Sequence, residues 1–180
     1  RILIWCGARP YLKGREQAPA PGNIFSGYKG ADYRSRSHDT ITLNPLSMYL
    51  QSDRLQLRAP ELSDLDFLFH LENDTRQWVV SACKTPYSRY LLQQYIESNS
   101  HDIYTDKQVR LMIELRDTHE PIGAIDLFDF SPSARRAEMG QIIDAAYRGK
   151  GYAKEALLLV GEYAEQVLDL QALARFASST

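Results

Sequence analysis

The feature that most constrains this chain is the run Arg148-Gly149-Lys150-Gly151-Tyr152-Ala153. It lies between an apolar stretch at residues 137–144 and a stripe of Leu157, Val160, Ala164 and Leu168. The first pattern specifies a strand and the second, with its three- and four-residue steps, an amphipathic helix. A strand that turns through two glycines into a helix presents the first N–H groups of that helix, unpaired, at the positive end of its dipole. Such a terminus favours phosphate. Glycine lacks Cβ, so it allows unusual φ values and a close approach of backbone to ligand, and Arg148 and Lys150 add positive charge. The loop therefore reads as a diphosphate cradle, with a plain strand-to-helix turn as the alternative.

Two other phosphate loops fit less well. A Walker A loop needs Gly at position 144 and Ser or Thr after Lys150, where the chain has Asp144 and Gly151. The dinucleotide fingerprint needs Gly at 154, where the chain has Lys154.

Around this loop the chain has the make-up of one ordinary domain: 180 residues, 44% hydrophobic and 24% charged. A formal charge of -2 gives no basic footprint for nucleic acid, and no apolar run approaches the ~18 residues of a membrane span. Expected partners are therefore small molecules, with no nucleic acid and no membrane. Cys6 and Cys83 stand alone, without a CxxC pair or a partnering histidine pair, so no metal and no disulfide framework is expected. The expected compartment is the cytoplasm. Residues 1–47 carry a net charge of +4 against -6 for the remainder, lack periodicity, and begin with Arg1. They read as a poorly ordered, non-native or basic extension, with a domain from Met48 onward.

Within 48–180, Leu55 and Leu57 alternate with polar residues as a short strand ending at Pro60. Ser63 and Asp66 resemble a capping box for a helix bearing Leu65, Leu68, Phe69 and Leu71. Tyr87, Leu91, Leu92, Tyr95 and Ile96 recur at helical spacing. Residues 111–115 and 122–127 form a hairpin across a polar turn, and residues 129–135 turn the chain into the next strand. The expected order is β-α-α-β-β-β-α-β.

This order, together with the Arg-x-x-Gly-x-Ala spelling from Arg148 to Ala153, resembles the GNAT superfamily of N-acetyltransferases over about residues 48–171. The segments 54–58, 71–74, 122–128 and 136–140 resemble the bacterial spermidine/spermine and ribosomal-protein N-terminal acetyltransferase branches. The resemblance implies an α/β fold of the α+β type, with a mixed, mostly antiparallel sheet flanked by helices. It implies acetyl-CoA as co-substrate, its pyrophosphate on the backbone of Gly149, Lys150, Gly151, Tyr152 and Ala153 with Arg148 beside it. The pantetheine arm would pair like an extra strand with Gln141, Ile142 and Ile143, one N–H of which polarises the thioester carbonyl. The acceptor would be a primary amine, such as the polyamine spermidine, or a protein N-terminus, attacking directly and without a covalent acetyl-enzyme.

An alkylammonium with a pKa near ~10.4 must lose a proton before it attacks. Glu138, on the strand before the loop, stands where the superfamily often places the water-mediated base; the alternative is a salt bridge to Arg135 or Arg136. Glu72 and Asp74, at the first helix end, would suit a polyamine cation or be solvated end residues. Trp78 and Tyr87 would wall that pocket by cation–π contact or belong to the core. His70 and His119 lie at no triad or metal spacing.

A full member would continue beyond Leu173 with a strand, a helix and closing strands bearing a tyrosine that protonates the thiolate. The expectation is a domain truncated at its C-terminus, with an apolar edge that invites a homo-oligomer. Outside catalysis, the chain could be an acyl-CoA-binding module, or be tethered to nucleic acid or membrane by its basic leader.

Overall fold

The computed structural model describes residues 49–78, 85–100 and 102–175. The expectations for residues 1–47, Cys6, Cys83 and the end of the chain lie outside them, as does the side chain of Trp78. The elements are β1 (Leu55–Arg58), α1 (Leu65–Glu72), α2 (Thr75–Trp78), α3 (Arg89–Ser98), α4 (Ile103–Asp106), β2 (Val109–Leu115), β3 (Pro121–Ser131), β4 (Arg136–Ile143), α5 (Tyr152–Gln166) and β5 (Ala172–Arg175). The expected order holds, with two single-turn helices, α2 and α4, added.

The strands form one sheet in the order β1-β2-β3-β4-β5, antiparallel throughout except for the parallel β4–β5 pair. Alternation along each strand gives the sheet two faces. Leu55, Leu57, Leu111, Ile113, Ile125, Leu127, Ala137 and Met139 pack with Ala156, Val160 and Ala164 of α5. On the opposite face Met112 packs with Leu68 of α1 and Leu92, Tyr95 and Ile96 of α3. On β3, an added Cβ at Gly123 would meet the Ile142 carbonyl oxygen of β4 at 2.3 Å. Only glycine fits there.

Three local expectations are corrected. The cap before α1 is not Ser63: the Asp64 carboxylate accepts from the Glu61 N–H at 2.8 Å and from Arg58 at 2.7 and 2.8 Å. The helical segment therefore starts with a 3-10 turn at Leu62–Asp64 under a Glu61–Asp64 capping box, two residues earlier than the Ser63–Asp66 spacing suggests. Tyr87 precedes α3 rather than belonging to it, because the Ser88 hydroxyl caps the helix by accepting from the Leu91 N–H. Tyr87 and Leu92 join the same apolar cluster across that cap, in the positions of a hydrophobic staple. Finally β3 runs on to Ser131, its register to β4 shifting between Phe128 and Ser131, with Asp129 at φ 49°. A polar residue in a bulge mimics a turn in the sequence.

Candidate active site at the head of α5

Gly151 is the N-cap of α5 at φ 85° and Gly149 sits at φ 76°, both in the left-handed region. An added Cβ would meet nothing within 4 Å at Gly149 and only Arg54 Nη2 at 3.7 Å at Gly151, so backbone conformation, not space, selects glycine here. Because the cap has no side chain, it makes no capping hydrogen bond. The first intrahelical bond at this end is from the Glu155 N–H to the Gly151 carbonyl at 3.1 Å. The N–H groups of Tyr152, Ala153 and Lys154 precede it and point out of the helix end. Three positions, 152–154, thus present donors to one place.

The expected basic residues stand around this end with other partners as well. Arg148 Nε donates to the Ile143 carbonyl at 3.0 Å, and Lys150 Nζ lies 5.0 Å from the ring centre of Tyr147. Arg54, which the sequence shows only as a polar residue flanking a strand, reaches across from the start of β1. Its guanidinium pairs with Glu155, donates to the Lys150 carbonyl at 3.3 Å and lies 4.7 Å from the Tyr152 ring centre.

Beside the loop, β4 has an open edge. β5 pairs only with residues 136–139, and among the described residues no strand pairs with 140–143 on that side. The Asp144 N–H donates to Ile122 of β3 at 2.9 Å, so by antiparallel alternation Gly140 and Ile142 also bond toward β3. Gln141 and Ile143 face the other way, and the Ile143 carbonyl is the one Arg148 takes. The N–H of both and the carbonyl of Gln141 therefore line the edge next to the α5 N-terminus. Gln141 Oε1 is buried without a hydrogen-bond partner in the described structure. A ligand with a diphosphate and an amide-bearing arm matches this donor set.

On the opposite face the carboxylates are held by arginines. Arg110, on β2 and 1% exposed, donates to Glu72 at 2.6 Å and to Asp126 at 2.8 and 3.1 Å, and lies 5.8 Å from the Tyr95 ring centre. Among the described residues, Arg110 thus stands between these two carboxylates. Burial raises the Asp126 carboxyl despite the charge and hydrogen bonds of Arg110, and pushes the Tyr95 phenol up to about 12. Burial also raises the Tyr87 phenol, with Glu72 adding to the effect and Arg110 opposing it. Tyr87 is fixed by Asn73, whose amide donates to the Tyr87 carbonyl at 3.1 Å and accepts from its N–H at 2.8 Å. Asp74 pairs with Arg76. The structure thus gathers Glu72 and Tyr87 around Arg110, while Asp74, its side chain 13% exposed, follows the end of α1.

Glu138 lies on the same sheet face, opposite Phe128. Burial raises its carboxyl, Asp129 raises it further, and Arg136 opposes. Arg135, one of its suggested partners, instead pairs with Asp169 and donates to that residue's carbonyl at 2.8 Å. Among the described residues no three His, Cys, Asp or Glu side chains are grouped to hold a metal, and no helix is long and apolar enough to cross a membrane. His70 is exposed, 3.8 Å from Asp144, and His119 Nδ1 lies 3.0 Å from Glu114.

Residues 54–179 match the acetyltransferase (GNAT) domain family. The chain belongs to that family. It is 30% identical over 123 residues to spermidine N(1)-acetyltransferase of Escherichia coli K12, covering 66% of this chain and 61% of that protein. Among solved structures it is similar to the spermidine N-acetyltransferase of Vibrio cholerae in complex with CoA and spermine, at 27% identity and a TM-score of 0.59, over 68% of this chain and 70% of that one. A candidate ribosomal-protein-serine acetyltransferase from Vibrio cholerae shares the fold at 22% identity, with a TM-score of 0.57 over 69% of this chain and 70% of that one. The mixed sheet flanked by helices is the fold of this acetyltransferase family, as the sequence leads one to expect.

Proposed function

We propose that this domain binds acetyl-CoA across the head of α5 and the open edge of β4 and transfers the acetyl group to a primary amine, with polyamines of the spermidine class as the first acceptors. The observation that carries the proposal is the side-chain-free cap at Gly151, with the Tyr152, Ala153 and Lys154 N–H groups beside an unpaired strand edge. The backbone of Gly149 to Ala153 would hold the diphosphate. Gln141 and Ile143 would pair with the pantetheine arm as an added strand, Ile142 lying between them. A main-chain N–H already aimed at the thioester oxygen needs no reorganisation as negative charge develops there.

Acetyl-CoA supplies the activated acetyl group; the chain's residues supply position and proton transfer. Glu138, with its raised carboxyl, is suited to take the ammonium proton through water. The free amine then attacks the thioester carbon: a C–N bond forms, the C–S bond breaks, and the sulfur leaves with CoA and takes up a proton. The carboxylates Glu72 and Asp126 around Arg110 would favour a polycation over a singly charged peptide end, with Tyr87 as a further wall. Asp74, paired with Arg76, would add its negative charge to the same region. A protein N-terminus is the second acceptor class, supported by the shared fold with a candidate ribosomal-protein acetyltransferase.

The experiment is thiol release from acetyl-CoA in the presence of spermidine, spermine or N-terminal peptides. Amine-dependent release with the polyamines preferred supports the reading; release with peptides alone favours the second class. CoA binding without release to any amine identifies a binding module.

A further inference from the structure

We infer that Arg54 is a positioning residue for the diphosphate site, acting by cancelling the charge of Glu155 rather than by binding phosphate itself; this rests on the cofactor reading above. Glu155 lies in the first turn of α5, the turn whose N–H groups form the proposed anion site. A bare carboxylate there competes for the positive end of the dipole and repels a bound diphosphate.

The structure neutralises that carboxylate from outside the helix. Arg54 Nε donates to Glu155 Oε2 at 2.8 Å, Nη2 pairs with the same oxygen, and the Ser52 hydroxyl donates to Oε1 at 2.5 Å. Both partners come from the segment entering β1, about a hundred positions away in sequence. The same guanidinium donates to the Lys150 carbonyl, between the two positive-φ glycines, and lies against Tyr152, the first residue of the helix. Turning the Lys150 carbonyl toward Arg54 keeps that acceptor away from the anion. Three of the five guanidinium N–H groups of Arg54 go to Glu155 and Lys150; Arg54 thus shapes the site as a clasp, and in this inference the ligand's charge is met by backbone N–H groups.

The test is CoA binding to the full chain by calorimetry, for the wild type, Arg54→Gln, Glu155→Gln and the double variant, each checked for an intact thermal unfolding transition. Arg54→Gln should weaken CoA binding about tenfold, and equally for 3′-dephospho-CoA, which keeps the diphosphate. Adding Glu155→Gln should restore affinity to within about threefold of the wild type, because the repelling charge is gone. No loss in Arg54→Gln overturns the inference. A loss that Glu155→Gln fails to rescue assigns the guanidinium a direct or purely structural role and also overturns it, as does a loss that disappears with dephospho-CoA. A wild type that does not bind CoA overturns the cofactor reading itself, a separate result from wild-type binding with an unaffected Arg54→Gln.

Discussion

The two faces of the sheet are built by different physics. The α5 face is apolar from Leu55 to Leu173, and at the head of α5 it ends in main chain: a glycine cap, helix N–H groups and a strand edge. The α1/α3 face has a small apolar cluster and is threaded with charge, Arg110 between Glu72 and Asp126, and Arg58 between Asp64 and Glu114. In the proposed reading, the backbone donors would recognise what every reaction of this kind shares, the diphosphate and its arm, and the paired carboxylates would recognise the part that varies, the amine.

The largest test of this contrast is Arg110→Met. It leaves two buried carboxylates without their cation and should cost about 3–5 kcal/mol in denaturant unfolding. Replacing Glu72, Asp126 and Arg110 together by apolar residues should recover most of that stability while abolishing polyamine-dependent thiol release. Recovery of both would show that the charges serve folding alone.

Next is Glu138→Gln, expected to lower kcat about a hundredfold with CoA affinity unchanged. In the wild type the acidic limb of the kcat/KM profile should lie above the ordinary glutamate value of 4.5, since burial and Asp129 raise this carboxyl. The variant should lose that limb. A profile that keeps it would remove Glu138 from proton transfer.

Ser88→Ala removes the cap of α3 and should cost about 1 kcal/mol of stability with no change in CoA binding, because α3 covers only the charged face. The smallest effect is at Glu114. Burial opposes its charge, but the hydrogen bonds from Arg58 and His119 prevail and hold the carboxyl below its ordinary value of 4.5. A depressed carboxylate stabilises the fold above the unfolded value, so this contribution should be present above pH 4.5 and fade as pH falls through the lower folded value. Glu114→Gln should flatten that part of the stability–pH curve.

The same contrast explains what was legible in the sequence. The loop from Arg148 to Ala153 depends on local geometry, glycines at positive φ followed by a helical stripe, and a linear sequence carries that signal intact. The strand and helix order was legible for the same reason. The charged face was not, because Arg110 meets Glu72 across 38 positions and Asp126 across 16, and no spacing rule joins them. A signal was present nevertheless: Arg110 and Asp126 interrupt apolar strands, and a charge inside a buried strand implies a partner. Arg54 carried no such mark. Its role arises only when β1 is laid beside the head of α5.

The most direct test of the central claim is the thermal unfolding midpoint of the full chain with and without acetyl-CoA, for the wild type and for Gly151→Glu. Ligand at about 100 times its dissociation constant adds about 2.7 kcal/mol. The wild type should therefore gain several degrees, and Gly151→Glu, which places a carboxylate at a cap of φ 85°, should gain nothing while still unfolding cooperatively. An equal gain in both proteins, or none in a folded wild type, would contradict a cofactor site at the head of α5.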